Sequence, residues 1–101
     1  MATSRIEIPK NLIEDFCRRW RIAEFALFGS VLREDFRPDS DVDVLVTFGG
    51  DAHWSLFEWV DMIEELKALF GREVHLVSKR AIRNPFRRDE ILRTREIIHA
   101  A

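Results

Sequence analysis

Hydrophobic and polar positions follow two different periods along this chain, and the periods divide it into helices and strands. After Pro9, apolar residues recur at helical spacing and predict a first helix through Leu12, Ile13, Phe16 and Trp20. The apolar stretch Ile22–Phe28 and the β-branched stretch Val42–Phe48 predict two strands. Residues 31–36 between them predict a short helix, which ends at a Pro-containing turn.

The second half of the chain predicts two more helices around a third strand. Residues 54–70 carry an apolar stripe that Gly71 terminates, formed by Leu56, Phe57, Val60, Ile63, Leu66, Leu69 and Phe70. Residues 72–77 predict a strand and residues 85–99 a last helix. The resulting order, α-β-(α)-β-α-β-α, predicts an α/β or α+β protein in which helices flank a small mixed β-sheet.

Length and composition limit what such a chain can do. Its 101 residues predict a single domain spanning residues 1–101, with material for one core. A two-lobed enzyme is excluded, so an acceptor substrate would have to come from another chain. The lone Cys17 permits no internal disulfide, and its apolar neighbours predict a buried structural thiol. Without a membrane-length apolar run or a signal peptide, we expect a cytoplasmic protein that does not bind membranes.

Charge is distributed unevenly along the chain. Residues 78–101 hold seven basic and three acidic side chains, although the net charge of the whole chain is −2. This basic end is either a solvated helix face or a surface for phosphates or an acidic partner. The overall pI of about 5.9 argues against direct nucleic-acid binding.

One stretch carries recognisable chemistry: Gly29-Ser30, ten further residues, and then Asp41-Val42-Asp43. A strand that runs through Gly-Ser into a helix start presents free backbone N–H groups to an anion. Asp41 and Asp43 are two apart on a strand, so both carboxylates leave the same face, roughly 7 Å apart along the chain. A divalent cation such as Mg²⁺ relieves the repulsion between two such carboxylates. A phosphate cradle beside paired carboxylates is what phosphoryl or nucleotidyl transfer requires.

The stretch LFGSVLREDFRPDSDVDVLVTF resembles the minimal nucleotidyltransferases (MNT domains) of the DNA-polymerase-β-like superfamily, whose hallmark is G-S-x10-D-x-D. The resemblance covers most of the chain and implies the polymerase-β-like nucleotidyltransferase fold. It implies Mg²⁺ bound by Asp41 and Asp43, with ATP as the nucleotide substrate. The nucleotide-binding residues that it implies are Gly29, Ser30, Arg33 and Ser40. Arg33 has an alternative interpretation as a surface residue paired with Glu34 or Asp35.

The same resemblance implies a partner. Such chains are commonly encoded beside a HEPN-domain protein, in pairs similar to toxin–antitoxin systems in which the HEPN chain is an RNase. The MNT chain then neutralises the toxin, in characterised cases by moving AMP from ATP onto a tyrosine near the RNase site. Because this chain contains no tyrosine, we expect that acceptor on the partner and not on the chain itself.

One position departs from the family pattern. The third strand reads Val74-His75-Leu76-Val77, so His75 stands where the resemblance leads us to expect a third carboxylate. Imidazole is a poor ligand for Mg²⁺ but a competent general base near neutral pH. Three interpretations follow: His75 is the catalytic base, Glu73 substitutes for the missing acid, or the site binds nucleotide without turnover.

Two functions therefore remain open. The first is an antitoxin enzyme, a protein adenylyltransferase that uses Mg²⁺ to move AMP from ATP to a tyrosine hydroxyl of a HEPN toxin. The second is a catalytically degenerate antitoxin that masks the toxin by direct binding. In that case, exposed apolar residues would form the interface, with the basic C-terminal segment at its rim. The candidates for this interface are Trp54, Phe57, Trp59, Phe86 and Ile98.

Overall fold

The structure, a computed structural model, describes residues 9–29, 41–50 and 52–100. Helix α1 (Lys10–Arg19) leads into strand β1 (Ile22–Phe28), and strand β2 (Val42–Phe48) precedes helix α2 (Leu56–Phe70). Strand β3 (Val74–Ser78), a single 3-10 turn, helix α3 (Pro85–Thr94) and strand β4 (Glu96–Ala100) complete the described chain. The predicted mixed sheet with flanking helices is confirmed.

The four strands lie in the order β3-β2-β1-β4. Strand β1 pairs antiparallel with both β2 and β4, whereas β2 and β3 are parallel, because α2 carries the chain back across one face of the sheet. The main core lies on that face, where α1 and α2 cover the alternate strand residues. A smaller core under α3 covers the opposite face, around Ala26, Leu45 and Ile91.

The C-terminal prediction is wrong in one respect. Residues 85–99 do not form one helix, because α3 ends at Thr94 and β4 follows. Arg95 leaves the helical conformation, with φ −63° and ψ 148°, and its side chain donates to the carbonyl of Leu92 and to Glu24 of β1. Strand β4 then satisfies backbone groups along an edge of β1 that would otherwise be unpaired.

The prediction for α2 is correct in position but partly wrong in its buried face. The helix begins after Ser55, which forms a capping box with Glu58, and it ends at Gly71 in the left-handed conformation. Met62 and Leu66 are fully buried, whereas Leu56, Phe57 and Val60 at the N-terminal end are exposed. The apolar stripe is therefore broader than the surface that the sheet covers.

A charged cluster joins α1 to α2. The guanidinium of Arg19 donates to both carboxylate oxygens of Glu65, and Trp20 Nε1 donates to the same carboxylate at 3.3 Å. The hydrogen bonds from Arg19 are the main reason that the pKa of Glu65 lies below its ordinary value. Because this pKa is lower in the folded chain, the ionised carboxylate stabilises the fold at pH values above the ordinary glutamate pKa of about 4.3. The contribution is lost as pH falls through the lowered pKa of the folded chain.

We expect Glu65→Gln to lower the free energy of unfolding by about 1 kcal/mol at neutral pH, because a paired carboxylate is lost. The difference from the native protein should shrink as pH falls through the lowered pKa of Glu65, because the native carboxylate itself then becomes protonated. Urea unfolding at neutral and acidic pH measures both quantities. Glu64→Gln, at a more exposed ion pair with Lys67, is the matched control. A difference that did not change with pH would contradict this account.

Candidate functional site

Backbone pairing brings the two aspartates and His75 to one end of the sheet. The N–H of Val42 donates to the carbonyl of Glu73 at 2.9 Å, which fixes the start of β2 against the start of β3. In the parallel register that follows, Asp43 lies beside His75. On its other side, Asp43 is opposite Phe28, the last residue of β1. The ends of three strands therefore converge at this site.

His75 contacts both carboxylates. Its Nε2 lies 3.1 Å from Oδ2 of Asp41, and its Nδ1 lies 3.4 Å from Oδ1 of Asp43. The exposed side-chain fractions are 64% for His75, 43% for Asp41 and 24% for Asp43, so a ligand from solvent can reach all three. A neutral imidazole carries one N–H, so it donates to only one of the two carboxylates and keeps the second nitrogen as an acceptor.

Gly29 supplies the close approach that the site requires. Its φ is +75°, in the left-handed region that favours glycine. A Cβ built there would overlap Oδ2 of Asp43 and lie 3.2 Å from Cγ of the same side chain. The Asp43 carboxylate is therefore packed against the Gly29 backbone, and any side chain at position 29 would displace it.

We expect Gly29→Ala to weaken binding of Mg²⁺ with α,β-methylene-ATP about tenfold, because the added methyl group moves the Asp43 carboxylate. Calorimetric titration measures this affinity. Gly50→Ala is the matched control, because Gly50 also has a positive φ of 57° but a Cβ there would meet nothing within 4 Å. Equal affinities of the two variants would show that overlap with Asp43 is irrelevant.

Three of the predicted nucleotide-binding residues, Ser30, Arg33 and Ser40, lie outside the described residues and stay predictions. The same holds for the short helix predicted over residues 31–36. Gly29, Asp41, Asp43 and His75 are described, and the structure brings these four together. Their catalytic and binding roles are inferences from this placement.

The alternative that assigned the third acid to Glu73 is not favoured by the side-chain contacts. The Glu73 carboxylate lies 3.0 Å from Lys67 Nζ, at the C-terminal end of α2. The hydrogen bond to Glu73 is also the main reason that the pKa of Lys67 is raised. Glu73 therefore contributes to the site through its backbone carbonyl, which positions β2.

The donor set around His75 suits a hard cation that keeps part of its coordination shell in solvent or substrate. Among residues 9–29, 41–50 and 52–100, no group of three or more His, Cys, Asp or Glu side chains is arranged to hold a metal ion. Mg²⁺ is commonly bound through one or two carboxylates, with water and substrate phosphate filling the remaining positions. Two aspartates that share one exposed edge fit that requirement.

The other candidate residues have largely structural contacts. Cys17 is buried, as predicted, and burial is the main reason that the pKa of its thiol is raised to about 12. Of the interface candidates, Trp54, Trp59 and Ile98 pack partly against the core, whereas Phe57 and Phe86 are exposed. In the basic C-terminal segment, three arginines make intramolecular contacts: Arg88 with Lys79, Arg93 with Asp89, and Arg95 with Glu24.

The sheet and helices have the fold of solved minimal nucleotidyltransferases. One solved structure, named as a minimal nucleotidyltransferase, is 31% identical to this chain. The two superimpose with a TM-score of 0.70, and the match covers 86% of each chain. A toxin–antitoxin complex with AMP-PNP gives a TM-score of 0.73 over 93% of this chain and 75% of the other, at 17% identity. This second likeness concerns the fold alone.

The sequence comparisons show the family. Residues 9–98 match the nucleotidyltransferase domain, and the chain belongs to that family. It is similar to the protein adenylyltransferase MntA of Thermococcus cleftensis, with 38% identity over 65% of each chain. An inferred protein adenylyltransferase of Methanocaldococcus jannaschii is 32% identical over 76% of this chain and 74% of its own length. Within the described residues, no helix has the length and apolar character needed to cross a membrane.

The family assignment confirms the resemblance on which the predicted fold rested. A further solved neighbour is an AMPylated HEPN toxin of Shewanella oneidensis in complex with an MNT antitoxin, with a TM-score of 0.65 over 91% of this chain and 70% of the other at 17% identity. The chain accordingly belongs to the nucleotidyltransferase domain family and is similar in sequence to MntA, and its structural neighbours include antitoxins.

Proposed function

We propose that this chain is an antitoxin-type protein adenylyltransferase. It would transfer AMP from ATP, with Mg²⁺, to a tyrosine hydroxyl of a HEPN-domain RNase toxin. The observation that carries the proposal is the convergence of Asp41, Asp43 and Gly29 at one exposed sheet end in a nucleotidyltransferase domain. The name of the MntA relative and the AMPylated toxin in a neighbouring complex support a HEPN toxin as the protein that is modified.

In the proposed reaction the acceptor oxygen attacks the α-phosphorus of ATP. A new P–O bond forms to the hydroxyl oxygen, the bond between the α-phosphorus and the bridging oxygen breaks, and pyrophosphate leaves with the bond electrons. Mg²⁺, when bound, would offset the charge that develops on the phosphate oxygens. Asp41 and Asp43 would hold it, while the glycine turn after β1 would position the triphosphate beside them.

The acceptor proton must also have a destination. His75 lies at the site with two ring nitrogens, and a neutral ring leaves one of them as an acceptor. We assign His75 as the general base that removes the hydroxyl proton, which requires the ring to turn from one carboxylate toward the acceptor. Its 64% exposed side chain leaves room for that rotation.

A second function is favoured by the same contact. His75 occupies the position where the family resemblance leads us to expect a third carboxylate, and it contacts the other two. The described site therefore has two acidic groups where three are expected. A chain with this site could neutralise the toxin by binding alone. The exposed Phe57 and Phe86 are then candidates for contact with the partner.

The experiment that tests the proposed reaction is intact mass spectrometry of the toxin partner after incubation with this chain, ATP and Mg²⁺. We expect mass increments of whole adenylyl groups on the partner, located on tyrosine by peptide fragmentation. Neither α,β-methylene-ATP, which has no cleavable α–β oxygen bridge, nor ATP with a chelator should give an adduct. The absence of any adduct from about pH 6 to about pH 9 would reject the enzyme in favour of the masking antitoxin.

A further inference from the structure

A cavity lies at the end of the sheet opposite to the aspartates. Its volume is about 530 Å³, within the range of roughly 300–1,000 Å³ that is typical of small-molecule sites. Its walls include Ile22 at the start of β1 and Gly49 just after β2. Asp43 lies opposite Phe28, at the other end of β1, so about 20 Å of strand separates the cavity from the carboxylate pair.

The floor of this cavity is apolar and chemically inert. Cys17 and Ile22 line it and are almost fully buried, with 1% and 4% of their surfaces exposed. Ala23 adds a small side chain beside them. Because burial raises the pKa of the Cys17 thiol to about 12, the floor presents neutral sulfur and carbon to a ligand.

The rim, in contrast, is cationic. Arg18, Arg21 and His99 line it, and Glu14 is the one acidic residue among them. In the part of the chain that the structure describes, neither Arg18 nor Arg21 has a side-chain hydrogen bond or ion pair. Arg19, between them in sequence, is fully engaged with Asp15 and Glu65. Two arginines without a side-chain partner among the described residues thus line the cavity beside an apolar floor.

The backbone at Arg21 gives independent support. Arg21 occupies the second position after α1 with φ +55°, and it is the one non-glycine residue with positive φ in the described chain. Helices commonly place glycine at this position because a side chain is strained there. Its carbonyl accepts from Gly49 N–H at 2.8 Å, which holds the strained residue in place. An arginine at a position that favours glycine, and that lines a cavity, points to a role for that side chain.

We propose that this cavity binds a small organic anion, with an apolar body on the Cys17 floor and a carboxylate or phosphate head between Arg18 and Arg21. Guanidinium groups bind either a carboxylate or a phosphate through paired N–H donors. Apolar surroundings of low dielectric constant strengthen that contact. The site is separate from the proposed transferase site and does not depend on its activity.

The test is a titration of the ¹⁵N-labelled full chain followed by amide chemical shifts. The probes are 4-phenylbutanoate and phenyl phosphate, which separate the two anionic heads, and 4-phenylbutylamine, which carries the opposite charge. We expect saturable shifts at Ile22, Ala23 and Gly49 with at least one anion, and none with the amine. The proposal is overturned if the amine shifts the same residues, if shifts centre on Asp43 and His75, or if no anion saturates below about 10 mM.

A variant separates binding from folding. Arg21→Gly removes one guanidinium and places the favoured residue at a left-handed position, so the thermal midpoint should stay equal or rise while anion affinity falls about tenfold. Arg18→Gln should weaken the same binding, and Arg87→Ala, at an exposed arginine elsewhere, should leave it unchanged. Native affinity in both rim variants would refute the assignment.

Discussion

Asp41→Asn combined with Asp43→Asn is expected to lower the rate of AMP transfer by at least about a thousandfold. The two carboxylates are the proposed ligands of the cation that stabilises the developing phosphate charge. Such stabilisation is worth several kcal/mol, and each 1.4 kcal/mol corresponds to about a tenfold change in rate. Initial rates of adduct formation on the toxin partner, followed by intact mass, measure the effect.

The change from Asp to Asn keeps the shape of both side chains, so the fold should be retained. Circular dichroism and the thermal midpoint check this directly. Asp61→Asn, at an exposed position of α2, is the matched control and should transfer AMP at the native rate. If the double variant retained more than about a tenth of the native rate, Asp41 and Asp43 would not be the ligands of a catalytic cation.

The same variant discriminates between the two functions. If the chain acts as an enzyme, the toxin should stay inactive after the native chain is removed, whereas the double variant should bind the toxin without suppressing its RNase activity. If the chain masks the toxin, the native chain and the double variant should suppress it equally while bound, and activity should return after either is removed. The comparison therefore needs toxin activity measured both in the complex and after separation.

The apolar patterns of β1 and β2 were sufficient to predict where Gly29 and the two aspartates lie. The bounds of β1 and β2, Ile22–Phe28 and Val42–Phe48, agree with the predicted ones. Each stretch is apolar or β-branched apart from one carboxylate, Glu24 or Asp43, and each is followed by glycine, so local composition was sufficient. The placement of Gly29 and the Asp41–Asp43 pair at one sheet end follows from the two strands being antiparallel neighbours.

Where the predictions failed, the deciding interactions are distant in sequence. Strand β4 exists because the edge of β1 offers backbone partners, and Arg95 is held by Glu24, more than seventy residues earlier. No local pattern distinguishes Glu96–Ala100 from the end of an amphipathic helix. Similarly, Leu56 and Phe57 share the apolar character of α2, but both are exposed at its N-terminal end.

The site at His75 could be predicted from the sequence only in part. Its position opposite the aspartates could be anticipated from the family pattern, but its two contacts depend on the parallel register of β2 and β3. That register is fixed by the Val42 N–H to Glu73 carbonyl hydrogen bond, which no side-chain pattern encodes. Glu73 lies two residues earlier on the same strand face, but its carboxylate pairs with Lys67 of α2, a contact that the strand pattern does not predict.

The second large effect concerns His75 itself. We expect His75→Ala to lower the rate of AMP transfer about a hundredfold or more, because general-base catalysis typically contributes that much. Affinity for α,β-methylene-ATP with Mg²⁺ should not fall, since the two carboxylates remain. Single-turnover rates and calorimetric titration separate the chemical step from binding. His53→Ala, at an exposed histidine before α2, is the control.

His75→Asp completes the comparison by restoring the third carboxylate of the family pattern. A carboxylate can accept the hydroxyl proton and can also offer oxygen to the cation, so this variant should transfer AMP far faster than His75→Ala and bind Mg²⁺ more tightly than the native chain. If His75→Ala kept the native rate, His75 would not be the base. If the native chain were inactive and His75→Asp active, the native histidine would instead be the substitution that turned a transferase site into a binding site.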